Sequence, residues 1–358
     1  MSKVRSRFRV IPFVVALVLA FVCLETALRL WWPQEITTEG PPRFPQDTKM
    51  GRPYAPGSRY LIHMPDRTVE LRFNAEGLRD NASHAVPKPA GVFRILLVGD
   101  SFTMGADNRY EEIWPVLLEH SLTEKGFRVD IINAGIESFD TGSELIMMRQ
   151  LVPKYHPDLV LMAFLPNDIF DNRFQDAEPH AAFVPTMQAG ISITDFQSLY
   201  LLKSLLLRND FVYTGVYWMT SRRQYFTETQ TKHAAEQYAA TRELLSQASR
   251  YASSEGSRFA VASIPQCFQV LAKARNIRLP GLAADVVDSR LGQFAAQRGF
   301  PWLPSLGTLA AHYSAHGEDL YYRADGHFTP LGNRIFGEWL VGEVLRVYGA
   351  DFSTGTVK

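Results

Sequence analysis

Cysteine is nearly absent, with two residues in 358, Cys23 and Cys267. Cys23 lies inside the first apolar run, so a structural disulfide between them is not expected, and no zinc-type Cys/His spacing appears. Net charge is absent as well. Lys plus Arg and Asp plus Glu both number 37, which removes the electrostatic reason to expect a polyanion such as nucleic acid as a partner. The nine histidines are scattered, and none forms an HxxxH pair on a helix recognisable in the sequence, so no metal is expected. Internal repeats and low-complexity tracts are also missing, which sets aside repeat architectures.

What is there begins with a basic, then apolar, N-terminus. Lys3, Arg5, Arg7 and Arg9 precede Val10–Leu24, a run without charge, and Glu25 and Arg29 interrupt the stretch that ends on Trp31 and Trp32. Basic residues before an apolar run predict a cytoplasmic N-terminus, and paired tryptophans suit a membrane interface. A cleaved secretory peptide would need a small-x-small site, and none follows convincingly. A lipid anchor on Cys23 would want a small residue where Val22 stands. A single uncleaved signal-anchor helix accounts for most of these features, although its uncharged core is short for a span.

The remainder divides by composition, and 46% hydrophobic residues suffice for one large domain or two ordinary ones. Residues 1–32 read as cytoplasmic tip and anchor, and the Pro/Gly-rich stretch 33–58 as a linker. Strand-like segments flank a turn at Pro65-Asp66. From Phe93 short apolar runs alternate with helical periodicity. Strands are expected at Arg94–Val98, Val129–Asn133, Asp158–Phe164, Phe259–Ile264 and Trp302–Leu306. Helices are expected near 110–125, 141–155, 232–254, 281–298 and 330–348. That alternation predicts a three-layer α/β sandwich with a mainly parallel sheet, its functional residues at the carboxyl ends of the strands. Residues 172–231 break the alternation with an aromatic, partly helical excursion that reads either as a lid or as extra packing. Residues 351–358 form a tail.

Three strand ends carry candidate chemistry. FRILLVGDSFTMG (93–105) ends an apolar run on Gly99-Asp100-Ser101, a strand–turn–helix junction suited to a nucleophile, to phosphate binding or simply to a turn. VDIINAGIESFDTGS (129–143) places backbone N–H groups near Gly135 or Ser138 after the next strand, where they can point into the same crevice. AFLPNDIFDN (163–172) offers the Asn167 amide as an oxyanion donor and Asp168 as a residue to hold the loop. Near the C-terminus, YYRADGHFTPLGN (321–333) sets Asp325 two residues before His327, where a turn at Gly326 can bring carboxylate and imidazole together. Asp325 and Thr329 also suit a plain turn and helix cap. Serine, His oriented by a carboxylate, and oxyanion donors after successive strands describe nucleophilic acyl chemistry.

These segments resemble the SGNH (GDSL) hydrolase superfamily over roughly residues 70–348. Gly99-Asp100-Ser101-Phe102 is similar to its first block, Asn167-Asp168 to its third and Asp325-Gly326-His327 to its last. NAEGLRD at 74–80 is similar to a stretch found upstream in membrane-anchored members. The resemblance implies a flavodoxin-like α/β/α domain (59–350, with the lid-like insertion at about 172–231), no cofactor and no metal. It implies Ser101 as nucleophile, His327 as base and Asp325 as its orienter. The oxyanion hole would take the Ser101 N–H, the backbone N–H at Ser138 and the Asn167 amide. Ser138 stands where the family has glycine, Leu165 replaces a third-block glycine, and Asp325 lies two instead of three before His327.

The implied activity is a serine esterase or O-acyltransferase outside the cytoplasm, acting on an acyl ester of a cell-envelope polysaccharide or a lipid. The competing expectation is a non-catalytic scaffold of envelope assembly that keeps the fold with a degraded oxyanion hole.

Overall fold

The computed structural model describes residues 2–33, 54–63, 67–172, 196–323 and 325–352. Most of the expected linker, the turn at Pro65-Asp66, the first part of the 172–231 excursion (173–195) and most of the tail lie outside the described residues.

Helix α1 covers Ser2–Trp31. Its segment Pro12–Trp31, with mean hydropathy 2.3, is long and apolar enough to cross a membrane. A hairpin of β1 (Arg59–His63) and β2 (Thr68–Arg72) follows, paired antiparallel. Val69 and Leu71 alternate into the core, as a strand with one buried face requires.

The main sheet has five parallel strands: β3 (Phe93–Gly99), β4 (Val129–Gly135), β5 (Leu159–Phe164), β6 (Arg258–Ser263) and β7 (Trp302–Pro304), in the order β4-β3-β5-β6-β7. All seven residues of β3 are buried, because helices cover both faces and leave no solvent side to reward polar alternation. Ile95 and Leu97 pack with α3 (Trp114–Glu124) and α12 (Pro330–Tyr348) through Trp114, Leu118, Phe336 and Leu340. Leu96 and Val98 face the opposite core, built by α4 (Thr141–Tyr155), α8 (Lys232–Ser254) and α10 (Val286–Arg298). The expected three-layer α/β/α sandwich is therefore the observed one. Strand order reverses at β3, so the carboxyl ends of β3, β4 and β5 lie side by side and open one crevice.

The short helices α2 (Ser101–Met104) and α5 (Asp168–Asp171) follow β3 and β5. Within the excursion lie α6 (Gln197–Leu207) and α7 (Asp210–Trp218). Two further helices escape the sequence reading, α9 (Cys267–Ala274) and α11 (Leu306–His316). The strand expected to reach Leu306 stops at Pro304, because Ser305 is the N-cap of α11 and Leu306 its first residue. With α11 comes an HxxxH pair, His312 and His316, whose ring centroids are 4.6 Å apart. His312 reaches Glu318 at 3.3 Å, and the three do not form a ligand cluster among the described residues.

Candidate active site

Ser101 opens the first turn after β3. Asp100 caps that turn, its Oδ1 accepting from the Phe102 N–H at 2.9 Å while its own carbonyl accepts from Thr103 and Met104. With so short a helix the chain must turn at once, and the adjacent strand must come close. A Cβ on Gly135 would lie 2.4 Å from the Met104 nitrogen and 2.6 Å from the Thr103 carbonyl carbon. Gly135 is thus a packing glycine, and its N–H is bonded to Asn133 Oδ1 at 3.0 Å. The expectation that this N–H points into the crevice is corrected, because the contact with Asn133 uses it.

Ser101 Oγ lies 2.8 Å from His327 Nε2. His327 stands on the loop before α12, whose Thr329 side chain caps the helix through the Gly332 N–H. Two carboxylates flank the far nitrogen of the ring. Asp107 Oδ2 is 2.9 Å from His327 Nδ1, and Asp325 Oδ2 is 3.7 Å away. Asp325 spends its other oxygen on its own turn, Oδ1 accepting from the His327 backbone N–H at 2.8 Å. The expected orienter is Asp325; Asp107, which the sequence reading did not single out, is the nearer carboxylate to the ring, and Asp325 stands farther off with one oxygen on its own turn. At 2.9 Å Asp107 makes an ion-pair contact, although the ring N–H does not aim straight at the oxygen.

The electrostatics follow this placement. Burial disfavours the imidazolium of His327, but Asp107 and Asp325 outweigh it and push its pKa well above the ordinary 6.5. Burial, together with Asp325 nearby, pushes the Asp107 carboxyl up despite the contact with His327. For Asp325 desolvation is outweighed by His327, and its carboxyl is held below the usual range.

Asp107 is tied down by a residue with no assigned role in the sequence reading. Arg79, in the NAEGLRD stretch, is 1% exposed and donates to the backbone carbonyls of Met104, Gly105 and Asn108. Its guanidinium grips both sides of the turn that carries Asp107. Burial lowers its pKa to about 10, with Asp107 acting in the opposite sense. Asn108 then ties the turn to the histidine loop, Nδ2 donating to the Phe328 carbonyl at 2.9 Å.

Ser138 follows β4 and Asn167 follows β5, on either side of the Ser101 turn. Ser138 has φ +60°, a conformation glycine adopts without cost. The structure keeps the glycine-like backbone that the family pattern calls for, and serine carries its strain. The Asn167 amide lies beside the Asp100 carboxylate, which burial raises to about 6. Asp168 is 1% exposed and accepts from Thr141 Oγ1 at 3.0 Å, joining the β5 loop to the start of α4. Burial and the neighbouring Glu144 push the Asp168 carboxyl well up. Glu144 is itself fully buried and raised well above its ordinary value, by burial first and then by Asp100 and Asp140. A layer of buried acids therefore lies behind the crevice.

Part of the excursion packs beside the loop that carries His327. Tyr213 Oη of α7 lies 3.7 Å from where a Cβ on Gly326 would stand, and Asp210 bonds Arg323 Nη2 at 2.9 Å.

A serine hydroxyl on an imidazole, carboxylates behind the ring and three strand-end loops around it match the sequence blocks in order. The chain is similar to the SGNH (GDSL) hydrolases. An arylesterase of Vibrio mimicus is 39% identical over 75 residues, which is 21% of this chain and 38% of that protein. The chain thus matches well under half the length of this curated relative. Among solved structures, a lipolytic protein of the G-D-S-L family from Veillonella parvula shares 14% identity, with 72% of this chain and 98% of that one covered and a TM-score of 0.40. The acetyl xylan esterase AlAXEase shares 12% identity over 70% of this chain and all of that one, with a TM-score of 0.44. No family model matches the chain.

Proposed function

We propose that the protein is a serine esterase or O-acyltransferase that works through an acyl-enzyme. One observation carries this reading: the 2.8 Å contact between Ser101 Oγ and His327 Nε2, with carboxylates behind the imidazole. His327 takes the Ser101 proton as Oγ attacks an acyl carbonyl carbon. The oxyanion that forms would be received by the Ser101 N–H, the Ser138 N–H and the Asn167 amide, the donors after three adjacent strands. Collapse expels the alcohol, which receives the proton from His327, and leaves the acyl group on Ser101. Attack by water then gives hydrolysis, and attack by a sugar hydroxyl gives transfer.

The resemblance to envelope members supports a small O-acyl group on a cell-envelope carbohydrate as substrate. The basic N-terminus and apolar α1 support a single-pass protein with its catalytic domain outside the cytoplasm. Domain limits of 1–32, 33–58 and 59–350 remain part of the proposal.

A fluorophosphonate probe tests the chemistry. The wild-type chain should be labelled covalently, and Ser101→Ala should not, with unchanged circular dichroism. A short-chain aryl ester should be turned over by the wild type alone. Equal labelling of Ser101→Ala would remove the nucleophile, and no labelling of the wild type would favour a scaffold role.

A further inference from the structure

Helices α6 and α7 carry an outward face that the hydrolase reading does not use. Leu202, Leu205, Leu206, Phe211, Val216 and Met219 are 46–78% exposed along two consecutive short helices. Scattered exposed leucines are ordinary, but six large apolar side chains within eighteen residues form a patch. Lys203 and Arg208 stand exposed beside it.

The position of this hairpin says what covers the patch. Glu25 of α1 is 8% exposed and its carboxylate holds the first turn of α6. Oε1 accepts from the Gln197 N–H at 2.9 Å, and Oε2 accepts from the Ser198 N–H and Oγ, each at 2.9 Å. Arg29 Nε completes the contact at 2.7 Å, and the rings of Phe21 and Phe196 meet at 5.5 Å. Glu25 stands six residues before Trp31, about 9 Å along a helix axis. If Pro12–Trp31 crosses a bilayer, Glu25 holds the start of α6 about 9 Å below the level of Trp31, within the depth to which the apolar face of an interfacial helix is buried. An apolar face edged by basic residues is what a helix lying in that interface presents.

The other side of the hairpin is fixed to the catalytic loop. Asp210 of α7 bonds Arg323 and Arg275, and Tyr213 packs beside Gly326, next to His327. The α6–α7 pair therefore touches the anchor at one end and the loop that carries His327 at the other.

We infer that α6 and α7 lie in the bilayer interface, with Leu202, Leu205, Leu206, Phe211, Val216 and Met219 in the lipid, and hold the Ser101 crevice against the membrane surface. The inference rests on α1 as a span, and the native cysteines allow the two to be tested apart. Cys23 is exposed on α1, whereas Cys267 is buried. The full chain is placed in phosphatidylcholine vesicles and spin-labelled at Cys23. In a Cys23→Ser background it is labelled instead at Leu206→Cys, Met219→Cys or Lys232→Cys, the last a fully solvated control on α8. Collision with oxygen reports lipid, and collision with a water-soluble nickel chelate reports water. Each variant should still hydrolyse a soluble aryl ester, which shows the fold intact.

The expected result is that Cys23, Leu206→Cys and Met219→Cys are open to oxygen and shielded from nickel, while Lys232→Cys meets nickel several-fold more often. Lipid exposure at Cys23 with water exposure at Leu206→Cys overturns the interfacial hairpin and leaves the span standing. Shielding of Leu206→Cys from both reagents means that protein covers the face, a second copy or another partner, and overturns it too. Water exposure at Cys23 removes the span and the hairpin together.

Discussion

His327 faces a hydroxyl on one side and two carboxylates on the other, and these contacts make opposite demands on its proton. Attack by Ser101 needs the neutral ring, while Asp107 and Asp325 stabilise the charged one. Since these carboxylates push its pKa well above 6.5, the proposed mechanism gains its neutral ring only as the pH rises past that raised value. kcat/KM should therefore climb through an acid limb that lies above the ordinary histidine range. Asp107→Asn removes the nearer charge, so the limb should move to lower pH. The plateau should fall by up to roughly 10⁴-fold as the ring loses its orientation and tautomer. Asp325→Asn keeps an oxygen for the His327 N–H and should cost far less than Asp107→Asn. A larger loss in Asp325→Asn would return the orienting role to Asp325. Ser138 offers a second residue-scale test. A non-glycine residue in the left-handed region costs ~1–2 kcal/mol, and glycine returns ~0.5–1 through the unfolded chain. Ser138→Gly should hence gain up to about 1 kcal/mol in denaturant unfolding, with turnover unchanged because the N–H remains. Loss of turnover would mean that the Ser138 side chain, not its backbone, serves the site.

At the scale of elements, the site depends on a turn after α2 that no regular structure supports. Residues 105–108 are held by Arg79 from the NAEGLRD turn and by Asn108 reaching the histidine loop. Asn74 prepares this arrangement, its Oδ1 accepting from the N–H groups of Glu76 and Leu78 at 3.0 Å each. The turn is thereby closed with Arg79 aimed inward. Lysine keeps the charge at that position but lacks the planar fork that reaches three carbonyls. Arg79→Lys should leave the sheet folded and free Asp107 to move, so turnover should fall by about 10²-fold. The acid limb of kcat/KM should shift down, as in Asp107→Asn. Lost turnover with the limb unmoved would make Arg79 a structural residue with no hold on the base. Asp107 was not legible in the sequence for the same reason that Arg79 matters. An acid sought beside His327 is found at Asp325, two residues away, whereas Asp107 reaches the ring from the loop of another strand 220 residues earlier (327 − 107). Only its place just after the nucleophile's turn hinted at it.

For the whole molecule, the legible parts were those where burial leaves a mark on residue type. Strands covered on both faces, such as Phe93–Gly99, read as apolar runs, and α4, α8 and α12 kept helical periodicity. Helix α9 escaped because it has eight residues and is capped by Gln266 and Gln269, not by the usual short polar side chains. The Glu25 contact escaped as well, because a carboxylate near the end of an apolar run reads as its boundary until the turn it holds is seen. That contact makes topology a property of the whole chain, since the end of α1 that binds α6 must lie on the same side as the catalytic domain. The basic residues Lys3, Arg5, Arg7 and Arg9 favour retention of the N-terminus in the cytoplasm. A phosphatase reporter that is active only outside the cytoplasm, fused after Lys358, should then be active. Alkaline carbonate should leave the full-length chain in the membrane fraction. Changing all four basic residues to glutamate should reduce that reporter activity, because the charge bias that sets orientation is gone. An inactive reporter on the wild-type chain would place the crevice in the cytoplasm and redirect the substrate search to intracellular esters, with the Ser101–His327 chemistry unaffected.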